Sequence, residues 1–362
     1  MSLSAPPKVT AFRIRPVKAP LAKPHRSASG LIEVASLVLL DVETDAGVTG
    51  ASYVFVYAPA MLAPTAALLQ ELEALVTGAA VAPAAVTAML HARFRLFGLQ
   101  GLLGIAINAV DMALWDAHAK LAGLPLSRLL GGAPRPVRVY DSLGMMDPDD
   151  TARDVEASLA AGFRAFKIKA GRPDPRDDAA VVHAIRKVAG ADCWVAADFN
   201  QAFLAPEATE RMRVLDAEGL AWIEEPVKAE DHAGHAAVRA AIATPVQTGE
   251  NWWGLPDMRH ALDAQACDHA MPDVMKIGGV TGWMAAAALA EARQMPVSSH
   301  LFVEISAHLL ASTPTAHMLE WFDLAAAVVA SPPRVADGHA HADDQPGAGI
   351  RWNEAAIGRC LA

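Results

Sequence analysis

Asp198, Glu224 and Glu250 stand at equal intervals (224 − 198 = 26 and 250 − 224 = 26), each ending a short apolar run: CWVAADFN, AWIEEP and PVQTGE. Twenty-six residues is close to one strand-plus-helix unit, so the three carboxylates are expected at equivalent ends of successive strands. Brought to one point they repel each other unless a cation lies between them, and oxygen ligands on rigid strands suit Mg2+. The stretch AFKIKAG, Ala165 to Gly171, puts Lys167 and Lys169 two residues apart, hence on one face of a strand, where each disfavours the other's charge. A lysine so placed has a lowered pKa and can act as a base near neutral pH. By themselves the two lysines also suit a solvated edge strand; it is the rest of the set that gives them meaning. Asp273 and His300 fall on the sixth and seventh strand candidates, and a carboxylate bonded to one imidazole nitrogen orients the ring and raises its basicity. No serine or cysteine sits in a G-x-S-x-G elbow, which disfavours acyl transfer. A lysine base, a histidine base and a metal between them are equipment for removing a proton alpha to a carboxylate and returning it from the opposite face. The metal and Lys167 would stabilise the enediolate, and a protonated Glu320 would hydrogen-bond the second carboxylate oxygen. Lys276, at odd spacing from Asp273, is expected on the other face of that strand.

The elements that must position these groups can be traced in the pattern. Strands near 9–17, 32–42 and 48–56 are followed by helices near 59–75, 83–94 and 102–122, a block arrangement that reads as α+β. From about Pro136 short apolar runs alternate with helix-length segments: VRVYDS, AFKIKA, CWVAADFN, AWIEEP, PVQTGE, DHAMPDVMK, PVSSH and AHMLEW. Eight such units predict a (β/α)8 barrel, whose active sites lie at the carboxyl ends of the strands. A doubly wound sheet is the competing architecture, but no G-x-G-x-x-G follows the first strand. The expected divisions are an α+β domain over 1–130, the barrel over 131–330 and a C-terminal segment over 331–362 that returns to the first domain.

At 362 residues, with net charge −10, a pI of about 5.7 and no basic run, the chain does not suit a nucleic-acid or anionic-membrane surface. The expected partner is a small carboxylate. Cys193, Cys267 and Cys360 lie far apart without C-x-x-C pairing, and neither an apolar leader nor a membrane-length run is present in the sequence given. A cytoplasmic protein is the expectation.

The motifs WIEEP, GENW, AMPDVMKIGGVTGW, SSHLF, EISAHLL and TPTAHMLE resemble the enolase superfamily and, within it, the mandelate racemase subgroup. The resemblance runs from about Leu21 to the C-terminus. It implies an α/β fold, a (β/α)8-type barrel with an α+β N-terminal capping domain, and a homo-oligomer. By position it implies Mg2+ held by Asp198, Glu224 and Glu250, one ion per subunit. Lys169 becomes the base for the S substrate, and His300, paired with Asp273, the base for the R substrate. Lys167 would contact the substrate carboxylate, Asn200 the α-hydroxyl side and Glu320 the carboxylate as an acid, with Ser142 close by. The side-chain pocket would comprise His25, Ser27, Ser29, Ile32, Phe55, Tyr57, Leu96, Leu301 and Phe322. His25 and Ser29 depart from the valines of the subgroup, and a buried histidine without a partner costs free energy, which favours a substrate with a polar group or a different ring. Three functions follow: a racemase of mandelate or a related aryl 2-hydroxy acid, an acid-sugar dehydratase, or a barrel that binds without turnover. The third would be expected to have lost a base or a ligand, and none is missing.

Overall fold

The computed structural model describes residues 5–27, 30–133, 135–330 and 332–362. Three strands, β1 (Val9–Ser27), β2 (Gly30–Thr44) and β3 (Thr49–Phe55), form an antiparallel sheet in that order. The helices α1 (Leu62–Val76), α2 (Pro83–Arg93) and α3 (Gly101–Leu121) pack against it, with the short α4 (Leu126–Leu129) beyond them. β1 is longer than its apolar pattern suggests. Pro20 and Pro24 read as strand breakers, but β1 lies at the sheet edge, where a missing N–H costs nothing. Its register slips between Pro20, opposite Val34, and His25, opposite Ile32. Residues 21–24 thus bulge from the ladder and re-aim the ribbon tip.

The eight expected barrel strands are all present. They are β4 (Val137–Ser142), β5 (Ala165–Lys169), β6 (Trp194–Asp198), β7 (Ile223–Glu224), β8 (Val246–Thr248), β9 (His269–Ala270), β10 (Val297–Ser299) and β11 (Ala316–Trp321). Each pairs in parallel with the next, and β11 returns to pair with β4, closing the barrel. The outer helices are α5 (Pro148–Ala160), α6 (Pro175–Ala189), α7 (Ala205–Asp216), α8 (His232–Ala241), α9 (Gly254–Asp263), the one-turn α10 (Val274–Ile277), α11 (Gly279–Ala292) and α12 (Val303–Ala311). Their starts follow local chemistry: Asp147, Asp174 and Asp231 each accept a backbone N–H at the N-cap of α5, α6 and α8. Two short strands, β12 (Arg334–Ala336) and β13 (His339–His341), form a hairpin on the first residues of β4. The chain then crosses back to the first domain, where Trp352 donates to Asp41 at 2.6 Å, before ending in α13 (Glu354–Cys360).

Inside the barrel, side chains sit in layers. Tyr140, Ala165, Ala196, Trp222, Met271 and Met318 form one buried cluster. Two residues further along the same chain segments come Ser142, Lys167, Asp198, Glu224, Asp273 and Glu320, all buried. Period-two alternation keeps a strand's i and i+2 side chains on one face, so the apolar layer is the floor on which the polar one stands. The tip of the β1–β2 ribbon reaches the barrel through Arg26, whose carbonyl accepts the N–H of Met145 at 2.7 Å. Gly144 permits that approach, since a Cβ there would meet Arg26 N at 3.3 Å. No described helix is long and apolar enough to cross a membrane.

Candidate active site

Asp198, Glu224 and Glu250 end β6, end β7 and follow β8, and each offers an oxygen within 4.8 Å of the others'. All three are buried. Glu250 Oε2 has no hydrogen-bond partner, although His300 Nε2 is 3.4 Å away. Burial pushes the Glu224 carboxyl up to about 7; Lys167 opposes this, while Asp198, Glu250 and Glu320 add to it. Mutually repelling oxygens with one left unpartnered are the donor set of a small hard cation, so the residues fit Mg2+. Glu224 is fixed from below, its Oε2 accepting from Trp222 Nε1 at 3.0 Å and from Gln247 Nε2 at 2.9 Å.

The lysines are more constrained than their spacing suggests. Lys167 is 0% exposed and ion-paired to Glu224 at 2.5 Å and Glu320 at 2.6 Å, and lies over the Tyr140 ring. Lys169 donates to Asp198. Burial works against each charge, but the carboxylates outweigh it and both pKa values are raised. The expected lowering of Lys169 by Lys167 is therefore corrected for this arrangement: the repulsion exists, but Asp198 and its neighbours exceed it. Glu320 is likewise not the neutral acid expected. Burial favours the neutral form, yet Lys167, His300 and Lys169 bring its carboxyl down to about 2, and it accepts the Leu301 N–H at 3.2 Å.

Asp273 Oδ2 lies 2.6 Å from His300 Nδ1. Burial opposes the imidazolium, while Glu250, Asp273 and Glu320 favour it, so the His300 pKa is raised. Asp273 also caps α10 through the Met275 N–H at 2.6 Å. Lys276 does not face away. β9 ends at Ala270, so strand parity no longer applies, and the turn of α10 brings its ammonium 2.6 Å from Asn251 Oδ1 and 5.0 Å from the Tyr57 ring centre.

A cavity of about 240 Å3 joins these parts. Lys169, Asn200, Glu250, His300 and Glu320 come to it from the barrel, and His25, Ser27, Ile32, Phe55 and Tyr57 from the first domain. Leu301 and Phe322 complete the apolar side. Left-handed backbone recurs around it, at Tyr57, Asn200, Gln201 and Leu301, at a cost of about 1–2 kcal/mol per residue, which is typical of functional sites. Lys167, Asp198, Glu224 and Asp273 are buried next to these groups without lining the cavity, and two further expected members stand elsewhere. Leu96 is 91% exposed and does not line the cavity, because it lies in the turn past the end of α2 rather than on the sheet. Ser142 lines the neighbouring cavity, beyond the stacked rings of His25 and Phe322. Ser29 is outside the described residues.

Three polar neighbours join the site that the sequence pattern does not mark. Gln201 and Asn251 line the cavity, and Asn251 donates to Glu225 at 2.9 Å. Burial, then Glu250, holds the Glu225 carboxyl well above its usual range. Adjacency was the available signal, since each directly follows a residue of the expected set: Asn200, Glu250 and Glu224.

A closed eight-stranded barrel with a capping domain and an acidic triad at its carboxyl end defines a class of metal-assisted enzymes. Residues 9–131 match the family described as mandelate racemase / muconate lactonizing enzyme, N-terminal domain, and residues 150–356 match enolase C-terminal domain-like. The chain belongs to the enolase superfamily, in its mandelate racemase subgroup. A solved enolase from Bradyrhizobium, complexed with magnesium and mandelic acid, is 43% identical with a TM-score of 0.96, covering 99% of this chain and 100% of that one. The 3,6-anhydro-alpha-L-galactonate cycloisomerase of Streptomyces coelicolor is 32% identical over 92% of this chain and 93% of its own length. The L-talarate/galactarate dehydratase of Salmonella typhimurium is 31% identical over 72% of this chain and 66% of its own length. The protein is a Mg2+-dependent enzyme of this superfamily.

Proposed function

We propose that the enzyme racemises a 2-hydroxy carboxylate, mandelate or a related aryl 2-hydroxy acid, by moving the α-proton between two bases. The observation that carries this reading is that Lys169 and the Asp273-paired His300, on the second and seventh barrel strands, line one cavity with Glu250. A planar enediolate can be protonated from either side, so one base per enantiomer suffices for racemisation. In this reading Lys169 serves the S substrate and His300 the R substrate, each in its neutral form, so Lys169 must release the proton that Asp198 favours before it can act as a base. Asp273 holds the tautomer in which His300 Nε2 faces the cavity. Lys167, ion-paired within the polar layer above the apolar floor, supplies positive potential for the charge that develops on the substrate carboxylate. Asp198, Glu224 and Glu250 would hold the Mg2+, which would supply Lewis-acid stabilisation of the same charge. Asn200 is assigned to the α-hydroxyl side. Glu320, anionic here, holds Lys167 and needs proton uptake on substrate binding to act as a donor. The mandelic acid in the Bradyrhizobium relative supports the substrate class.

The dehydratase relative favours a second reading, in which the same abstraction is followed by loss of a β-hydroxyl with His300 as the acid. Against it stand Ile32, Phe55, Leu301 and Phe322, which give a polyol few partners. NMR of α-proton exchange in D2O with Mg2+ separates the two. Exchange and racemisation from each enantiomer of mandelate is the expected result. Inertness toward mandelate, with a sugar acid losing water to a 2-keto acid, would replace the racemase reading.

A further inference from the structure

His25 is the odd member of the cavity wall. It follows the bulge at residues 21–24 and pairs across the ribbon with Ile32, so the irregularity of β1 is what brings it to the cavity. Its ring stacks on Phe322 with centroids 4.3 Å apart and planes 28° apart. It is 6% exposed, and no hydrogen bond to either ring nitrogen is present among the described residues; Nε2 is fully buried. Burial and then Lys169 bring its pKa down to about 3, so the ring is neutral. A neutral imidazole has one donor and one acceptor, and an unpartnered one buried among apolar groups is a penalty unless a ligand removes it.

The other polar groups are differently engaged. Asn200 donates to Asp198, although its Oδ1 has no partner either, Gln201 accepts the Ala229 N–H, and Asn251 bridges Lys276 and Glu225. They stand by the metal ligands and the strand ends, where the reacting carbon must be. His25 stacks on Phe322 and lines the cavity with Ile32, Phe55 and Leu301, the wall for the substrate's side chain, while still feeling the charge of Lys169.

We infer that His25 selects a 2-hydroxy acid whose aromatic side chain carries a hydroxyl, by hydrogen-bonding that hydroxyl through its ring. A hydroxyl both donates and accepts, so it satisfies whichever nitrogen is presented. The apolar wall takes the ring that carries it. A site with a buried polar group discriminates against the ligand that leaves the group unpaired. The inference rests on the racemase reading and adds the substituent the substrate bears.

The test compares kcat/KM for α-proton exchange with mandelate, 3-hydroxymandelate and 4-hydroxymandelate, with Mg2+ in D2O. It uses the wild-type enzyme, His25→Phe, which retains a ring against Phe322 without polar atoms, and His25→Leu in case the larger ring does not fold. The wild type should favour at least one hydroxylated acid about tenfold or more, and that ratio should collapse toward one in either variant. Equal rates on all three acids in the wild type, or a preference that survives both substitutions, would overturn the inference and leave the racemase reading standing. No exchange from any of the three would overturn that reading, and this inference with it.

Discussion

Two layers of the same barrel, one step of the strand apart, hold opposite chemistry. Tyr140, Ala165, Ala196, Trp222, Met271 and Met318 form an apolar plug; Ser142, Lys167, Asp198, Glu224, Asp273 and Glu320, each two residues later, form a buried charged and polar field. Backbone pairing and strand direction are shared, so the difference lies in the side chains alone. The lower layer has dispersion and shape to satisfy, which tolerates substitution at constant volume. The upper layer carries buried charges, which are tolerable only in combination: each lysine has a carboxylate, and Asp198, Glu224 and Glu250 have a cation site between them. The layers also touch. Trp222 donates to Glu224, and Tyr140 lies under the Lys167 ammonium, so the floor aims the groups above it.

Substitution in each layer can break this contrast. Lys167→Met removes the cation shared by Glu224 and Glu320 and should cost about 3–5 kcal/mol of stability, read from urea unfolding without added metal, together with most of the activity. A loss below about 1 kcal/mol would mean that the charged layer is not held by its pairs. Glu250→Gln should retain the fold and weaken Mg2+ binding by at least the roughly tenfold to hundredfold that loss of an outer-shell partner costs, read in a calorimetric titration; an unchanged titration would remove Glu250 from the ligand set. Trp222→Phe keeps an aromatic plug but loses the bond to Glu224, and should cost about 1 kcal/mol, with a visible fall in Mg2+ affinity. If affinity stays constant, the floor does not aim the ligand. Met318→Leu, confined to the lower layer, should cost less than about 1.5 kcal/mol and leave Mg2+ affinity unchanged.

Much of this contrast could be seen in the sequence because barrel strands repeat. Equal intervals between Asp198, Glu224 and Glu250 announced both the βα unit and the meeting of the three groups. The pairing of Asp273 with His300 depended only on adjacent strands. What failed depended on where the regular elements end. Lys276 was placed by strand parity, although β9 stops at Ala270 and α10 turns the side chain toward Asn251. Leu96 was placed by resemblance, and the turn after α2 leaves it in solvent. The expected first strand spans 9–17, whereas β1 runs on to Ser27 through Pro20 and Pro24, which an edge strand accommodates. The charge state of Lys169 follows from Lys167 alone in the sequence pattern and that of Glu320 from the resemblance, whereas each group feels several neighbours at once.

The two-base assignment is tested most directly with His300→Asn, following α-proton exchange by NMR in D2O with Mg2+ and each enantiomer of mandelate separately. Loss of general-base catalysis at one position is worth about 10²- to 10⁴-fold. The R enantiomer should lose exchange by that factor, while the S enantiomer, served by Lys169, continues to exchange without racemising. Equal loss from both enantiomers would contradict the assignment of one base to each face.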